Sequence, residues 1–208
     1  MKHSRHSTAA DFGVSRETEA RLQAYVALLL RWNAKINLVA DSTLEQVWQR
    51  HILDSLQLLP LLPDGQGSIT DLGSGAGFPG LVLAAASGRE THLVESDRRK
   101  CAFLSEAART LGLSRAHIHP QRIEAATPPP AAVVTARALA PLPILLGHAA
   151  RLLAPGGVAL FPKGRTADEE LTAAAPHWTM RAERFPSHTD SAATILRLSE
   201  IRPFGDTP

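Results

Sequence analysis

The sequence predicts an α/β fold built on a mostly parallel, doubly wound sheet. From residue 68 onward, short apolar runs typical of buried strands alternate with helical segments. A glycine-rich turn at residues 71–80 follows the first of these strands. The last two strand candidates, at residues 178–185 and 192–198, have no helix between them, which indicates an antiparallel hairpin at one edge of a seven-stranded sheet.

The amino-terminal third is predicted to be helical and to pack on the main domain. Residues 1–13 are polar and aperiodic, which is typical of a flexible tail. Ser15 has the position of a helix N-cap, and apolar residues recur at helical spacing as far as Asn33. A second helix is expected at residues 44–59. The Pro/Gly-rich stretch that follows sets the predicted boundaries: a tail at 1–13, a helical segment at 14–62 and an α/β domain at 63–208.

Within the α/β domain, the apolar pattern places each element in turn. Strands are predicted at residues 68–72, 91–95, 117–119, 132–136 and 158–161, with helices at 79–87, 98–111 and 142–153.

Composition excludes several classes of protein. Among 208 residues, 22 basic and 20 acidic side chains leave a net charge of only +2, so a polyanionic partner is permitted but not required. The single cysteine, Cys101, rules out an intramolecular disulfide framework. The nine histidines are scattered, and no metal site is expected. No apolar run resembles a signal peptide or a membrane span, which predicts a cytoplasmic protein.

The glycine turn is the strongest indication of a ligand. Gly73, Gly75, Gly77 and Gly80 allow left-handed backbone conformations and let a ligand approach the main chain. The spacing from Gly75 to Gly80 also fits a dinucleotide-binding pattern, so a nicotinamide cofactor is one interpretation. A different cofactor is favoured by Asp71 before the turn, by the glycines at 73, 75 and 77, and by the Pro155-Gly-Gly157 turn before the fifth strand. That combination resembles the class I methyltransferase fold, which binds S-adenosylmethionine.

Three further positions lie where this sheet would meet a ligand. Glu95 ends the second strand, where a carboxylate can accept both hydroxyl groups of a ribose. Ile123 and Glu124 follow the third strand, where an adenine ring would find an apolar wall and a polar partner. Arg137 ends the fourth strand, and its planar fork suits a carboxylate or a phosphate.

Five separated motifs make the resemblance more specific. They begin at Trp32, Arg50, Asp71, Thr135 and Phe161 (Trp-Asn-x-x-Ile-Asn-Leu, Arg-His-Ile-Leu-Asp-Ser, the glycine turn, Thr-Ala-Arg-Ala and Phe-Pro-Lys-Gly). Together they closely resemble the RsmG family, also called glucose-inhibited division protein B. The resemblance implies methyl transfer from S-adenosylmethionine, with S-adenosylhomocysteine as product, to N-7 of one guanine of bacterial 16S ribosomal RNA. That guanine is number 527 in the RNA of the family's substrates.

The resemblance also implies roles for individual residues. Cofactor contacts are expected from Gly73, Phe78, Ile123, Glu124 and Arg137, and Asp71, Gly75, Gly77 and Glu95 fit the general methyltransferase pattern. RNA contacts are expected from Arg98, Arg122, Lys163, Arg165 and Arg197, with Arg137 and Lys163 positioning the reactants. The partner would be 16S RNA or the small ribosomal subunit, bound by a monomer. One departure is visible: Ala131 and Ala132 stand where relatives usually have an acidic residue before the fourth strand.

The chemistry needs no general base, because guanine N-7 has an in-plane lone pair and no proton.

The side chains Asn33, Asn37, His51 and Asp54 either cap local backbone or line the substrate cleft, and the sequence leaves both open. A small-molecule methyltransferase and a non-catalytic RNA-binding protein remain alternatives, because the cofactor half does not identify the acceptor. A nicotinamide oxidoreductase is disfavoured, since no separate substrate domain follows.

Overall fold

The computed structural model describes residues 8–205, which form seven strands and six α-helices together with several short 3₁₀ and π turns. The strands are β1 (Ile69–Leu72), β2 (Thr91–Val94), β3 (Ala116–His119), β4 (Ala131–Ala136), β5 (Leu153–Lys163), β6 (Trp178–Pro186) and β7 (Thr194–Pro203). The helices are α1 (Arg16–Asn33), α2 (Asp54–Leu56), α3 (Gly80–Ser87), α4 (Arg98–Thr110), α5 (Leu142–Leu152) and α6 (Ala167–Ala174).

The sheet has the order β3-β2-β1-β4-β5-β7-β6. The first five strands in this order run parallel, whereas β7 pairs antiparallel with both β5 and β6. The predicted parallel sheet with an antiparallel edge hairpin is therefore confirmed. The chain order reverses between β1 and β4, and ligands of doubly wound folds bind beyond the carboxyl ends of the strands at such a point.

The first helix forms as the sequence predicts. The Ser15 hydroxyl accepts a hydrogen bond from the Thr18 amide at 3.2 Å, which caps α1. Its apolar face buries Leu22, Tyr25 and Leu29 against α3 and α4. Part of the expected flexible tail, residues 1–7, lies outside the described residues. Ala9–Phe12 form a 3₁₀ helix whose Ala9 side chain is buried in the same core.

The prediction of one regular helix at residues 44–59 is wrong, because the segment is made of several short helical elements of different types. The segment consists of a 3₁₀ helix at Asp41–Gln46, a π-helix at Trp48–Leu53, the single turn α2 and a 3₁₀ turn at Leu59–Leu61. Apolar spacing identified a buried helical stretch but not its winding, because the winding depends on the tertiary partners of the segment. A π-turn is uncommon and frequently marks a functional site.

One helix was not predicted. Helix α6 follows β5 and has a single large apolar residue, Leu171, so its sequence pattern is weak. It forms because Ala167, Leu171 and Ala174 are buried, with α6 packed against α5. Tertiary packing, not local periodicity, determines this element.

The departure at the start of β4 leaves the strand intact. Ala131 is buried and pairs with Leu153, and the register shifts between Ala131 and Val133. Ala132 lies so close to Gly67 that a Cβ on that glycine would fall 2.3 Å from the alanine Cβ. Small side chains therefore fill this position, and no acid is required to hold the strand in place.

Among the described residues, none of the helices combines the length and the apolar character that crossing a bilayer requires. Within residues 8–205 there is also no cluster of three or more His, Cys, Asp or Glu side chains suited to a metal ion.

Candidate active site

Asp71 holds the glycine turn after β1 in place. The side chain is fully buried, and both of its carboxylate oxygens accept hydrogen bonds from the protein. The Thr135 hydroxyl on β4 donates to Oδ1 at 2.8 Å, and the Gly80 amide at the start of α3 donates to Oδ2 at 3.3 Å. Burial raises the pKa of Asp71 to about 6, although these hydrogen bonds and the charge of Arg137 oppose the rise. Asp71 thus links β1, β4 and α3.

Only glycine fits at the entrance to α3. A Cβ on Gly80 would lie 2.6 Å from Leu93 Cδ2 and 2.7 Å from the side chain of Asp71, too close for any real contact. Gly75 shows the opposite condition: its φ of 56° favours glycine, and a Cβ there would meet only Gly73 O at 3.8 Å. The space beside Gly75 is therefore open, as a ligand lying along the turn would require.

Glu95, at the end of β2, fastens the turn from the other side. Its Oε2 accepts from the Gly75 amide at 2.9 Å and its Oε1 from the Asp97 amide at 2.8 Å. Each carboxylate oxygen has two lone pairs, so each retains one for a further donor such as a ribose hydroxyl. The chemistry of Glu95 therefore fits a nucleoside while its present bonds hold the turn in shape.

An aromatic layer from α1 supports the same turn. The Tyr25 hydroxyl donates to the carbonyl of Ala76. The Tyr25 ring lies 5.5 Å from Phe78, and burial raises the pKa of the tyrosine well above its ordinary value. The amino-terminal helical segment is thus joined directly to the glycine turn.

A cleft of about 790 Å³ opens next to the turn, at the carboxyl ends of β4 and β5. Its walls come from the π-helical segment, the loop after β4, the loop after β5 and the β6–β7 loop, and they include Arg50, His51, Asp54, Arg137, Leu139, Lys163, Glu170 and Thr189. A volume of this size suits a nucleotide-sized group.

Arg137 joins the turn to the cleft. Its guanidinium carbon lies 5.2 Å from the centroid of the Phe78 ring. Its Nη1 donates to Asp54 Oδ2 and to the carbonyl of Arg50, both at 3.2 Å. The same side chain therefore contacts the turn and the wall of the cleft, and most of its hydrogen-bonding fork remains for an anion.

Asp54 is held by a polar network that crosses the cleft. Its Oδ1 accepts from Thr189 Oγ1 at 2.7 Å and from Gln57 Nε2 at 2.9 Å. Gln57 is buried, and its Oε1 accepts from the amide of His188 at 2.8 Å. The β6–β7 loop is thereby tied to the π-helical segment, and the orientation of Asp54 is fixed.

His51 is neutral and has a defined tautomer. Burial, followed by the charges of Arg137 and Arg50, lowers its pKa to about 4. The Thr43 hydroxyl donates to the carbonyl of Ala40 at 2.7 Å, so His51 Nε2, 3.0 Å from that hydroxyl, must be the donor to it. His51 Nδ1 is then a buried acceptor without a partner among the described residues. The ring stacks on Phe78 at 5.0 Å.

Lys163 is tied to the protein. Its Nζ donates to Glu170 Oε2 at 2.8 Å and to the carbonyl of Ala140 at 3.2 Å, and only 9% of its side chain is exposed. Glu170 Oε2 also accepts from the Leu142 amide at the start of α5. Burial opposes ionisation of Glu170, but the Lys163 and Leu142 hydrogen bonds and the lysine charge hold its pKa below the usual range.

The loop after β3 brings Ile123 and Glu124 to the same edge of the sheet. Ile123 is half-buried against the core beside α5, and Glu124 is exposed. Arg151 on α5 donates to the carbonyls of Ile123 at 2.6 Å and Ala126 at 2.7 Å, which fixes this loop.

The remaining predicted basic residues separate into two groups. Arg98, Arg122 and Arg165 are exposed, as an RNA contact requires. Arg197, in contrast, donates to the carboxylate of Glu183 and to the carbonyl of Leu61, and it is not part of the cleft lining.

Sequence reasoning missed the residues that act through others. Tyr25 gave only an apolar helical signal, and Thr135 and Arg151 gave none that pointed to Asp71 or to Ile123. His51 and Asp54 were left open between capping and lining the cleft, and the structure places both in its wall. The Arg-His-Ile-Leu-Asp-Ser motif was the available signal for them.

The arrangement defines a class of protein. A sheet of this order, with a glycine turn after its first strand and an acid after its second, is that of class I S-adenosylmethionine-dependent methyltransferases. The fold is shared with a SAM-dependent methyltransferase from Aquifex aeolicus at a TM-score of 0.57 and 13% identity, covering 74% of this chain and 92% of that one.

The chain belongs to the GidB family, described as rRNA small subunit methyltransferase G, whose model matches residues 18–194. It is 62% identical over 196 residues to the "Ribosomal RNA small subunit methyltransferase G" of Rhodospirillum centenum, covering 94% of this chain and 90% of the relative. The protein of the same name from Granulibacter bethesdensis is 57% identical, covering 92% and 90%. The predicted family is confirmed, and the chain is a methyltransferase.

Proposed function

We propose that this protein transfers the methyl group of S-adenosylmethionine to N-7 of a single guanine of bacterial 16S ribosomal RNA, guanine 527 by resemblance to the family. The observation on which this mainly depends is the cleft beside the glycine turn, which Arg137 connects to that turn. The names of the two relatives support the small-subunit RNA as substrate.

The cofactor would lie along the glycine turn, where Gly73, Gly75, Gly77 and Phe78 form the floor. The open space at Gly75 and the spare lone pairs of Glu95 suit its ribose, and Ile123 and Glu124 would hold its adenine. When bound, the cofactor supplies a methyl group on a positively charged sulfur. Asp71 positions the turn without touching the cofactor, because its side chain is fully buried and bound to Thr135 and Gly80.

Arg137 would bind an anion at the junction of the two halves of the site, either the carboxylate of the cofactor or a phosphate of the RNA. Asp54 keeps the guanidinium in place. Leu139 reaches over Gly73 from the same loop, where a Cβ on the glycine would lie 2.5 Å from Leu139 Cδ1, so this loop covers the turn.

Catalysis would rest on alignment rather than on proton transfer. Guanine N-7 needs no base, and holding two reactants in line can lower a barrier by about 7–11 kcal/mol in favourable cases. Two groups that line the cleft, His51 and Glu170, have lowered pKa values. Both shifts take the pKa further from 7. Above the pKa of about 6 of Asp71, from pH 7 upward, the rate should therefore show no steep ionisation, whereas a bell-shaped profile in that range would contradict alignment alone.

RNA contacts are proposed for Arg98, Arg122 and Arg165, whose side chains are exposed. We assign Lys163 to positioning the loop before α5 instead, and Arg197 to the hairpin, because protein groups already bind both. The substrate would be free 16S RNA or the small subunit, modified in the cytoplasm by a monomer.

Mass analysis of nucleosides tests the reaction. Unmodified 16S RNA and small subunits are incubated with the protein and methyl-labelled cofactor, and one 7-methylguanosine per RNA is expected. Label in a different nucleoside, or in small molecules only, would overturn the proposed acceptor.

Calorimetry with S-adenosylmethionine tests the cofactor site. Glu95→Ala should weaken binding by about 1.5–3 kcal/mol, the value of a charged hydrogen bond, while Glu45→Ala on an exposed 3₁₀ turn should change nothing. A loss near zero would remove Glu95 from the site.

A further inference from the structure

A groove outside the catalytic cleft lies between the end of α1 and the start of α4. Two adjoining cavities of about 660 and 350 Å³ form it, and they share Lys35, Ile36 and Arg99. We call it the α1–α4 groove, defined by Arg31, Trp32, Lys35, Ile36, Arg99 and Lys100. Of these residues, the sequence resemblance assigned none to RNA or to the cofactor.

The groove has an excess of positive charge. Arg31, Lys35, Arg99 and Lys100 line it, against two acids, Asp97 and Glu106. Arg99 lies 3.8 Å from Asp97 but is largely exposed, and no other ion pair involves a groove cation within residues 8–205. The cations are therefore free to neutralise charge on a partner.

The start of α4 is unfavourable for the stability of the helix itself. The amino terminus of a helix has a partial positive charge and favours acids in its first turn. Here the first turn has none, and Arg98, Arg99 and Lys100 occupy it in succession. Asp97 caps the helix by accepting from the amides of Arg99 and Lys100, so its charge is already engaged by the backbone. Residues that violate a local stability rule in this way are expected at functional surfaces.

The groove opens at the same edge of the sheet as the cofactor site. Glu95 ends β2 and binds the amide of Asp97, which precedes the cations of α4. On the opposite wall, Trp32 is half-buried and packs edge-on against Phe103 at 5.7 Å, giving an apolar surface between the cations. Cations next to an aromatic ring are the pattern of a surface that binds a nucleic acid strand.

We propose that the α1–α4 groove binds phosphates of the substrate RNA on the flank of the catalytic cleft. This inference rests on the proposed function for the identity of the RNA. Arg31, Lys35, Arg99 and Lys100 each neutralise backbone charge, and the contact is independent of base sequence.

Salt dependence of RNA binding tests the groove. The groove variant combines Arg31→Gln, Lys35→Gln, Arg99→Gln and Lys100→Gln. The control combines Arg16→Gln, Arg115→Gln, Arg181→Gln and Arg184→Gln, which removes the same charge from exposed positions elsewhere. Fluorescence anisotropy with protein-free 16S RNA fragments is measured over a series of KCl concentrations.

The groove variant should bind RNA at least about tenfold more weakly at low salt. Its slope of log K against log [KCl] should be smaller by about 3, since each lost phosphate contact contributes about 0.7–0.9. The control should stay within about one unit of the wild-type slope. Calorimetric affinity for the cofactor should be the same in all three proteins, which confirms that the variants fold.

Equal slopes for the groove variant and the control would overturn the inference. A loss of affinity for intact small subunits with no loss for protein-free RNA would also overturn it, because the groove would then bind a ribosomal protein. The proposed function fails separately, if the wild-type protein methylates no 16S RNA. A slope loss specific to the groove variant would still establish the phosphate contact in that case.

Discussion

The two halves of the active site are held together in different ways. The glycine turn is held mainly through its own main chain: the amides of Gly80 and Gly75 donate to Asp71 and Glu95, and the carbonyl of Ala76 accepts from Tyr25. One side-chain pair, Thr135 with Asp71, adds a link across 64 residues. The cleft wall is fixed by side chains far apart in sequence. Asp54 accepts from Arg137 across 83 residues and from Thr189 across 135.

This difference separates two tasks. A turn fixed by backbone groups presents the same surface whatever the acceptor is, which suits a cofactor common to many enzymes. A wall fixed by side chains of the π-helical segment, the loop after β4 and the β6–β7 loop has a surface that depends on which side chains those segments carry. Changes in the wall should therefore alter acceptor chemistry, whereas changes under the turn should alter stability and cofactor binding.

Arg137 belongs to both halves, so its replacement should have the largest effect. Arg137→Ala removes its bonds to Asp54 and Arg50 and any bond to an anion, at about 1.5–3 kcal/mol for each charged hydrogen bond. Methylation, measured as kcat/KM, should fall by about 10²–10⁴-fold, and calorimetry should show weaker cofactor binding. Arg137→Lys keeps the charge without the planar fork and should recover only part of the activity. Unchanged cofactor affinity would assign the arginine to RNA alone.

Asp71→Ala should disrupt the glycine turn and leave the cleft wall intact. It leaves the Thr135 hydroxyl and the Gly80 amide buried without an acceptor, at about 1–3 kcal/mol each. Chemical denaturation should show a loss of about 2 kcal/mol or more in the free energy of unfolding. Thr135→Val removes one of the two donors and should cost less. An Asp71→Ala protein of wild-type stability would show that the carboxylate does not link β1, β4 and α3.

The same difference explains what the sequence could predict. The Ser15 cap, the strand that ends at Leu72 and the helix that begins at Gly80 have local signals, and the structure confirms them. The pairing of Asp54 with Arg137 and Thr189 could not be predicted, because pairs separated by more than 80 residues leave no periodic trace. Sequence likewise showed that Lys163 is charged, but not that Glu170 already neutralises it.

Thr189→Val tests the cleft wall separately from the glycine turn. It removes the hydroxyl that donates to Asp54 at 2.7 Å, a bond with a charged acceptor, at about 1.5 kcal/mol. The expected result is a fall of about tenfold in kcat/KM for the RNA with unchanged cofactor affinity. Thr110→Val, at the exposed end of α4, is the matched control and should match the wild type. A parallel loss of cofactor binding in Thr189→Val would mean that the two halves are not separable.

The last expected effect is a difference in how stability depends on pH. Asp71 has a pKa of about 6 in the folded protein, above that of an unfolded aspartate, so its contribution is greatest at low pH and declines as pH rises toward 6. His51 has a folded pKa of about 4, below its unfolded value, so its contribution is present above pH 6.5 and declines as pH falls toward 4. The two trends partly cancel in the wild type.

Removing one group should expose the trend of the other. In denaturation measurements between pH 4 and 6, stability should rise more steeply with pH in Asp71→Asn than in the wild type, and less steeply in His51→Gln. The slopes of stability against pH test this prediction even if both variants are less stable overall, because the slopes depend on proton binding and not on lost packing. Identical slopes in all three proteins would mean that neither buried group titrates differently in the folded and unfolded chains, and that burial does not set their charge.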